Sequence, residues 1–152
     1  MGGMSYLCIM KLKKHTLTTD MSPTDISLVV KETVKWCKSN MGIYNRRKSG
    51  NFKYRVRPML KRELNDAGPC MGRFYSATNT LVIFPEHNDS VRELIETTIH
   101  EYTHYLQPLT KYNKLSVQYG YNKHPQEVEA RRNERKLFTK CFKSVALALK
   151  KI

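Results

Sequence analysis

Apolar residues recur along this chain at two different periods, and the switches between them mark out the elements. Ile26, Val29, Val30, Val34, Cys37 and Met41 follow the spacing of one buried helical face. That run opens at Ser22-Pro23-Thr24-Asp25, with Ser22 as N-cap, Pro23 at the first helical position and Asp25 near the positive end of the dipole, and it stops at Gly42. Phe52-Lys53-Tyr54-Arg55-Val56-Arg57 alternates apolar and basic residues, the period of a strand with one buried and one wet face. Gly72 to Ser76 and Thr80 to Phe84 are two β-prone runs around Ala77-Thr78-Asn79, a hairpin ended by Pro85. A second helical stripe, Val91, Leu94, Ile95, Thr98, Ile99, Tyr102 and Leu106, follows the capping box Ser90-Val91-Arg92-Glu93 and ends before Pro108. A last helix runs from Pro125 to about Leu149, with Lys150 and Lys151 at its negative end.

The intervals between these elements read as loops. Residues 1–21 give a strand or tail followed by a basic polar stretch, Asn40 to Gly50 is turn-rich and basic, Asn65 to Pro69 carries loop chemistry, and 109–123 is a connection rich in Tyr, Asn and Lys. The sum is an α+β chain of one domain over 22–152, preceded by the segment 1–21. A length of 152 residues with 40% apolar residues suits one core.

Composition narrows the surroundings more than the chemistry. No apolar run reaches the roughly 18–20 residues needed to cross a bilayer, and Tyr6 to Met10 is too short, and wrongly placed relative to its charges, for an export signal. Cys8, Cys37, Cys70 and Cys141 form no CxxC pair and are expected to be reduced thiols, which together with the missing signal points to an intracellular protein. The balance of 27 Lys plus Arg against 13 Asp plus Glu gives a formal charge of +14. Basic clusters at 11–14, 46–48, 53–62 and 131–136, interleaved with Tyr44, Phe52 and Tyr54, make nucleic acid one partner to consider.

The chemistry sits inside the second helix. His100-Glu101-Tyr102-Thr103-His104 sets two imidazoles four residues apart on one face, so both can reach one zinc ion while Glu101 reaches a water beside it. This is the HExxH motif of the zincin metallopeptidases, and about 0.01 chance matches are expected in a chain of this composition. The stripe buries Ile99 and Tyr102, leaving His100 and His104 beside it to face a cleft. A catalytic zinc needs a third protein ligand. No Asp follows His104, and Gln107 and Thr110 stand where a metzincin has Gly and its third His, so the remaining acids are Glu127, Glu129 and Glu134, with His124 and Cys141 as other donors. Glu127 shares its helical face with Ala130, Glu134, Phe138, Cys141 and Val145, whereas Glu129 lines up with Asn133, Lys136, Lys140 and Lys143 on a solvated face. Glu127 is therefore preferred over Glu129, and His124, ahead of the helix, ranks behind both.

His100 to His104 with Gln107, followed by Pro125-Gln126-Glu127-Val128-Glu129-Ala130, resembles the small gluzincin-type HExxH peptidases, including minimal ones encoded by phages and viruses. The resemblance spans residues 70–140. It implies a zincin-like fold with a small twisted sheet whose edge strand, assigned to Thr80 to Phe84, lies over the cleft. It implies one Zn2+ held by His100, His104 and Glu127, Glu101 as general base, and a protein or peptide substrate met by a monomer inside a cell, including an infected one. An oxyanion donor would come from Tyr119, Tyr121 or His124, with Tyr121 preferred, and Gln107 would brace a loop or the histidines. DNA-associated SprT-type proteases share HExxH and the basic charge, but their third ligand is a histidine in a His-Gly context, and His124 precedes Pro125. Two other readings stay open: a nucleic-acid-binding protein with a structural or vestigial zinc site, and a zinc hydrolase of a non-peptide amide.

Overall fold

The computed structural model describes residues 12–44, 51–108 and 112–150, so Cys8, the basic cluster at 46–48 and most of the N-terminal segment lie outside it. Helix α1 (Pro23–Met41) forms where the stripe places it, with Ser22 Oγ accepting from the Asp25 amide at 3.1 Å and Gly42 ending it at φ 94°. Strand β1 (Lys53–Val56) follows. A short helix α2 (Lys61–Ala67) then replaces part of the loop expected near Asn65. It has no apolar stripe, because Glu63 is its one buried residue, and it is fixed instead by the Glu63 carboxylate accepting from the Leu60 amide at 2.8 Å.

Strands β2 (Gly72–Tyr75) and β3 (Thr80–Ile83) form the expected antiparallel hairpin, and β1 pairs parallel to β3. The sheet order is β1-β3-β2, which corrects one expectation: Thr80 to Phe84 supplies the central strand, and β2 is the edge beside the cleft. The physical reason lies in burial, since Leu81, Val82 and Ile83 are all buried and fit only a strand covered on both sides.

Helix α3 (Val91–Leu106) is the centre of the molecule, packed against α1, the sheet and α5 (Pro125–Lys150). Its inward residues Val91, Leu94, Ile95, Ile99, Tyr102 and Tyr105 meet Leu81 and Ile83 of β3, Val29, Val30 and Val34 of α1, and Phe138, Cys141 and Val145 of α5 in one core. Four amides at a helix start lack intrahelical partners. Here the Ser90 hydroxyl accepts from the Glu93 amide at 3.3 Å, while Thr16 O and Lys14 O accept from the Val91 and Arg92 amides at 3.0 and 2.9 Å. Residues 12–21 thus clamp the start of the HExxH helix, and Leu12 and Met21 join the core.

The largest departure from the sequence reading is α4 (Tyr112–Lys123), where a loop was expected; it is broken at Gly120, which takes φ 72° and ψ 175°. Its apolar residues do not gather on one face, and Val117, Tyr119 and Tyr121 stay exposed, so no periodic stripe announces it. Cys37, Cys70 and Cys141 are free thiols, and no described helix is long and apolar enough to cross a membrane.

Candidate metal centre and cleft

The site is assembled where α3 crosses the first turn of α5. His100, Glu101 and His104 each offer one ligand atom within 4.8 Å of the others, a group able to hold a metal ion. Their ring centroids, His100 to His104, are 5.0 Å apart, as one helical turn dictates. From α5, Glu127 brings Oε1 to 3.2 Å from His100 Nε2 and 3.1 Å from His104 Nε2, and its Oε2 also lies 3.1 Å from His104 Nε2. Close approach of the helices is possible because Ala130, one turn further along, is fully buried and small. Glu127 is buried with Ala130, Phe138, Cys141 and Val145, the face on which the phase argument placed it.

The outer nitrogens are engaged as well. Gln107 Oε1 lies 2.7 Å from His104 Nδ1, and Glu134 Oε2 lies 3.5 Å from His100 Nδ1. With Nδ1 protonated toward these acceptors, a neutral imidazole turns the Nε2 lone pair at the Glu127 oxygen. Two lone pairs and a carboxylate oxygen cannot share that space without positive charge among them. In the protein alone that charge is protons: burial pulls the His100 pKa down, but hydrogen bonds to Glu127 and Glu134 and the nearby Glu101 outweigh it and raise the pKa to about 10. Glu127 shows the reciprocal effect, burial raising its pKa and the two histidines holding it well below the usual carboxylate range. A divalent cation supplies the same charge, so two imidazole nitrogens and one carboxylate oxygen fit zinc in number and type.

Glu129, the other acid considered for the metal, is turned away from the two Nε2 atoms. Its Oε1 accepts from Gln107 Nε2 at 2.6 Å, and the same amide donates to Gln126 O at 2.9 Å. Gln107 therefore ties His104 to the start of α5, and Glu129 acts on the site through it. His124 is fully buried and occupied: its ring stacks on Tyr112 at 4.2 Å, Nε2 meets Tyr112 O at 3.0 Å, and Nδ1 accepts from the Gln126 amide at 3.1 Å. It shapes the turn between α4 and α5.

A cavity of about 550 Å³ opens onto this centre, lined among others by Gly72, Arg73, Phe74, Glu101, His104, Tyr112, Tyr121 and Glu127. Glu101 is buried at its floor, and burial raises its pKa, partly offset by His104 and His100. Tyr121, 63% exposed overall, reaches this cavity, with its pKa pushed up to about 12 by burial and by the carboxylates of Glu127 and Glu101. Tyr119, the neighbouring alternative, does not line it. Tyr112 was missed by the sequence reading, yet its hydroxyl donates to Glu127 Oε2 at 3.0 Å. Only a helix at 112–123 brings it there, and nothing in the local pattern signalled that helix. No protein-family model, characterised protein or solved structure matches the chain.

Proposed function

We propose that the protein is a zinc metallopeptidase of gluzincin-like design, with His100, His104 and Glu127 holding the metal and Glu101 as general base. One observation supports this above all: the Nε2 atoms of both HExxH histidines converge on one oxygen of Glu127, from a different helix, at 3.2 and 3.1 Å. Zinc bound there supplies a Lewis acid that polarises a carbonyl and acidifies a water near neutral pH.

The chain's own residues do the rest. Glu101, buried and raised in pKa, accepts the proton of the attacking water and delivers it to the leaving amine. The phenol of Tyr121 keeps its proton at neutral pH and stands at the cavity wall as a hydrogen-bond donor to a developing oxyanion, whereas the Tyr112 hydroxyl donates its own proton to Glu127 Oε2 and steadies that carboxylate. Gln107 holds the His104 ring in the tautomer that presents Nε2.

The deciding experiment measures zinc content and cleavage of a mixed peptide library by the wild type and Glu101→Gln. The expected result is about one zinc per chain in both and a loss of at least about 100-fold in turnover in the variant. Cleavage retained in Glu101→Gln, or a wild type that takes up no zinc, refutes the proposal.

A further inference from the structure

We propose that the outer face of the sheet is the specificity subsite of the cleft and selects acidic side chains, so that the substrate is a peptide carrying Asp or Glu close to the bond that is cut. This rests on the peptidase reading and names the substrate class for it.

Strand register sets the surface. Arg55 of β1 pairs with Val82 of β3, and Val82 pairs with Arg73 of β2, so two arginines flank a buried valine in one row across the sheet. The neighbouring row is Lys53, Thr80 and Tyr75. Beside these rows lies a groove of about 350 Å³ lined by Arg55, Arg57, Arg62 and Arg73 against Glu63 and Asp66. Arg57 and Glu63 neutralise one another through two hydrogen bonds of 2.7 and 3.1 Å. Arg55, Arg62 and Arg73 then face Asp66 alone among the acids lining the groove, and the site is positive.

Continuity with the cleft comes from one residue. Arg73 lines both this groove and the cavity that holds Glu101. It sits on the edge strand, whose outer side pairs with no strand among the described residues. An extended peptide laid along such an edge alternates its side chains between the two faces of the sheet. Those on one face look toward Gly72 and Glu101; those on the other fall beside Arg73 and Tyr75. Charge complementarity makes the second set acidic.

A single-stranded nucleic acid is the weaker fit. Such ligands need open aromatic faces on which bases stack. Among the described residues Tyr75 is the one aromatic residue lining the groove, its hydroxyl donates to Glu63, and the Arg73 guanidinium covers its ring at 5.3 Å from the centroid.

The test is cleavage-site profiling of a proteome-derived peptide library by the zinc-loaded wild type. Alongside it, kcat/KM is measured on matched ten-residue peptides with Glu, Asn or Lys beside the cut, for wild type, Arg73→Lys, Arg73→Glu and the double variant Arg55→Gln/Arg73→Gln. The expected result is enrichment of Asp and Glu within three residues of the cut and an acidic-to-neutral ratio of about tenfold. That ratio is kept in Arg73→Lys, collapses to about one in the double variant, and inverts toward Lys peptides in Arg73→Glu. No acidic enrichment, or a ratio indifferent to these changes, overturns the inference. Anisotropy of the same labelled peptides and of an oligothymidylate on Glu101→Gln separates the failures. If no peptide is cut but the acidic peptide still binds through Arg73, the peptidase reading fails and the acidic subsite stands. If only the oligothymidylate binds, with a steep salt dependence lost in the double variant, the groove belongs to nucleic acid and the inference falls.

Discussion

Gly72→Ala tests the closest approach in the site. A Cβ built on Gly72 meets Thr97 Cγ2 and Val82 O at 2.9 Å each and Glu101 Cγ at 3.3 Å. None of these can move freely. Val82 O belongs to the central strand, and the Thr97 rotamer is fixed by its hydroxyl bond to Asn88 Oδ1 at 2.8 Å. Overpacking of this kind costs about 1–3 kcal/mol. For a chain of this length each kcal/mol lowers Tm by roughly 2–4 °C, so a fall of about 2–12 °C is expected by calorimetry or circular dichroism. The strain is shared with the side chain of Glu101, the proposed general base; a small misplacement of such a group can cost about 100-fold, so under that reading kcat/KM is expected to fall at least about tenfold. Adding Thr97→Ser removes the Cγ2 methyl while keeping the hydroxyl bonded to Asn88, and it recovers roughly half of the lost stability, leaving the clash with Val82 O. A Gly72→Ala protein melting within about 1 °C of wild type would show that β2 does not lie against α3 in this way.

Zinc affinity, read by competition with a chelating dye, separates the two glutamates of the last helix: Glu127→Ala weakens it at least about 100-fold, and Glu129→Ala, which acts only through Gln107, by about tenfold or less. Gln107→Leu removes the bonds to His104, Gln126 and Glu129 at once and weakens zinc binding about 10–100-fold while the fold persists; unchanged affinity would leave Gln107 a loop brace only. Acid stability isolates the sheet pair. The Arg57 hydrogen bond first, then Tyr75 and the Leu60 amide, hold the Glu63 pKa at about 2 against an ordinary 4.5 despite burial. A depressed carboxylate stabilises the fold above its unfolded pKa, so the stability gap between wild type and Glu63→Gln, about 1–2 kcal/mol after screening at the half-exposed Arg57, is full above pH 5 and shrinks as pH falls from about 4.5 toward 2. Urea titrations at stepped pH follow that gap, and a gap that widens on acidification contradicts the pairing.

What could be read from the sequence divides along a physical line. The helices at 23–41, 91–106 and 125–150 each bury a continuous stripe, so the period survives in the residues, and the phase of the last one alone separates an inward Glu127 from an outward Glu129. Elements held by polar contacts left no such trace. The helix at 61–67 is pinned by Glu63, and the helix at 112–123 keeps Tyr112 in place by a stack on His124 and a bond to Glu127, contacts between residues twelve and fifteen positions apart. The edge strand departs from the sequence expectation for a related reason: a strand's apolarity reports how fully it is covered, so the most apolar strand, β3, belongs in the middle, β1 and β2 are the two edges, and the half-exposed β2 with its arginine is the edge that borders the cleft. The same distinction bears on the +14 charge. Summed over the chain it points only to a polyanionic neighbour, but strand register separates Arg57, spent on Glu63, from Arg55 and Arg73, which flank Val82 beside the cleft. Where a basic residue stands relative to an open strand edge, rather than how many there are, decides whether it can read a substrate.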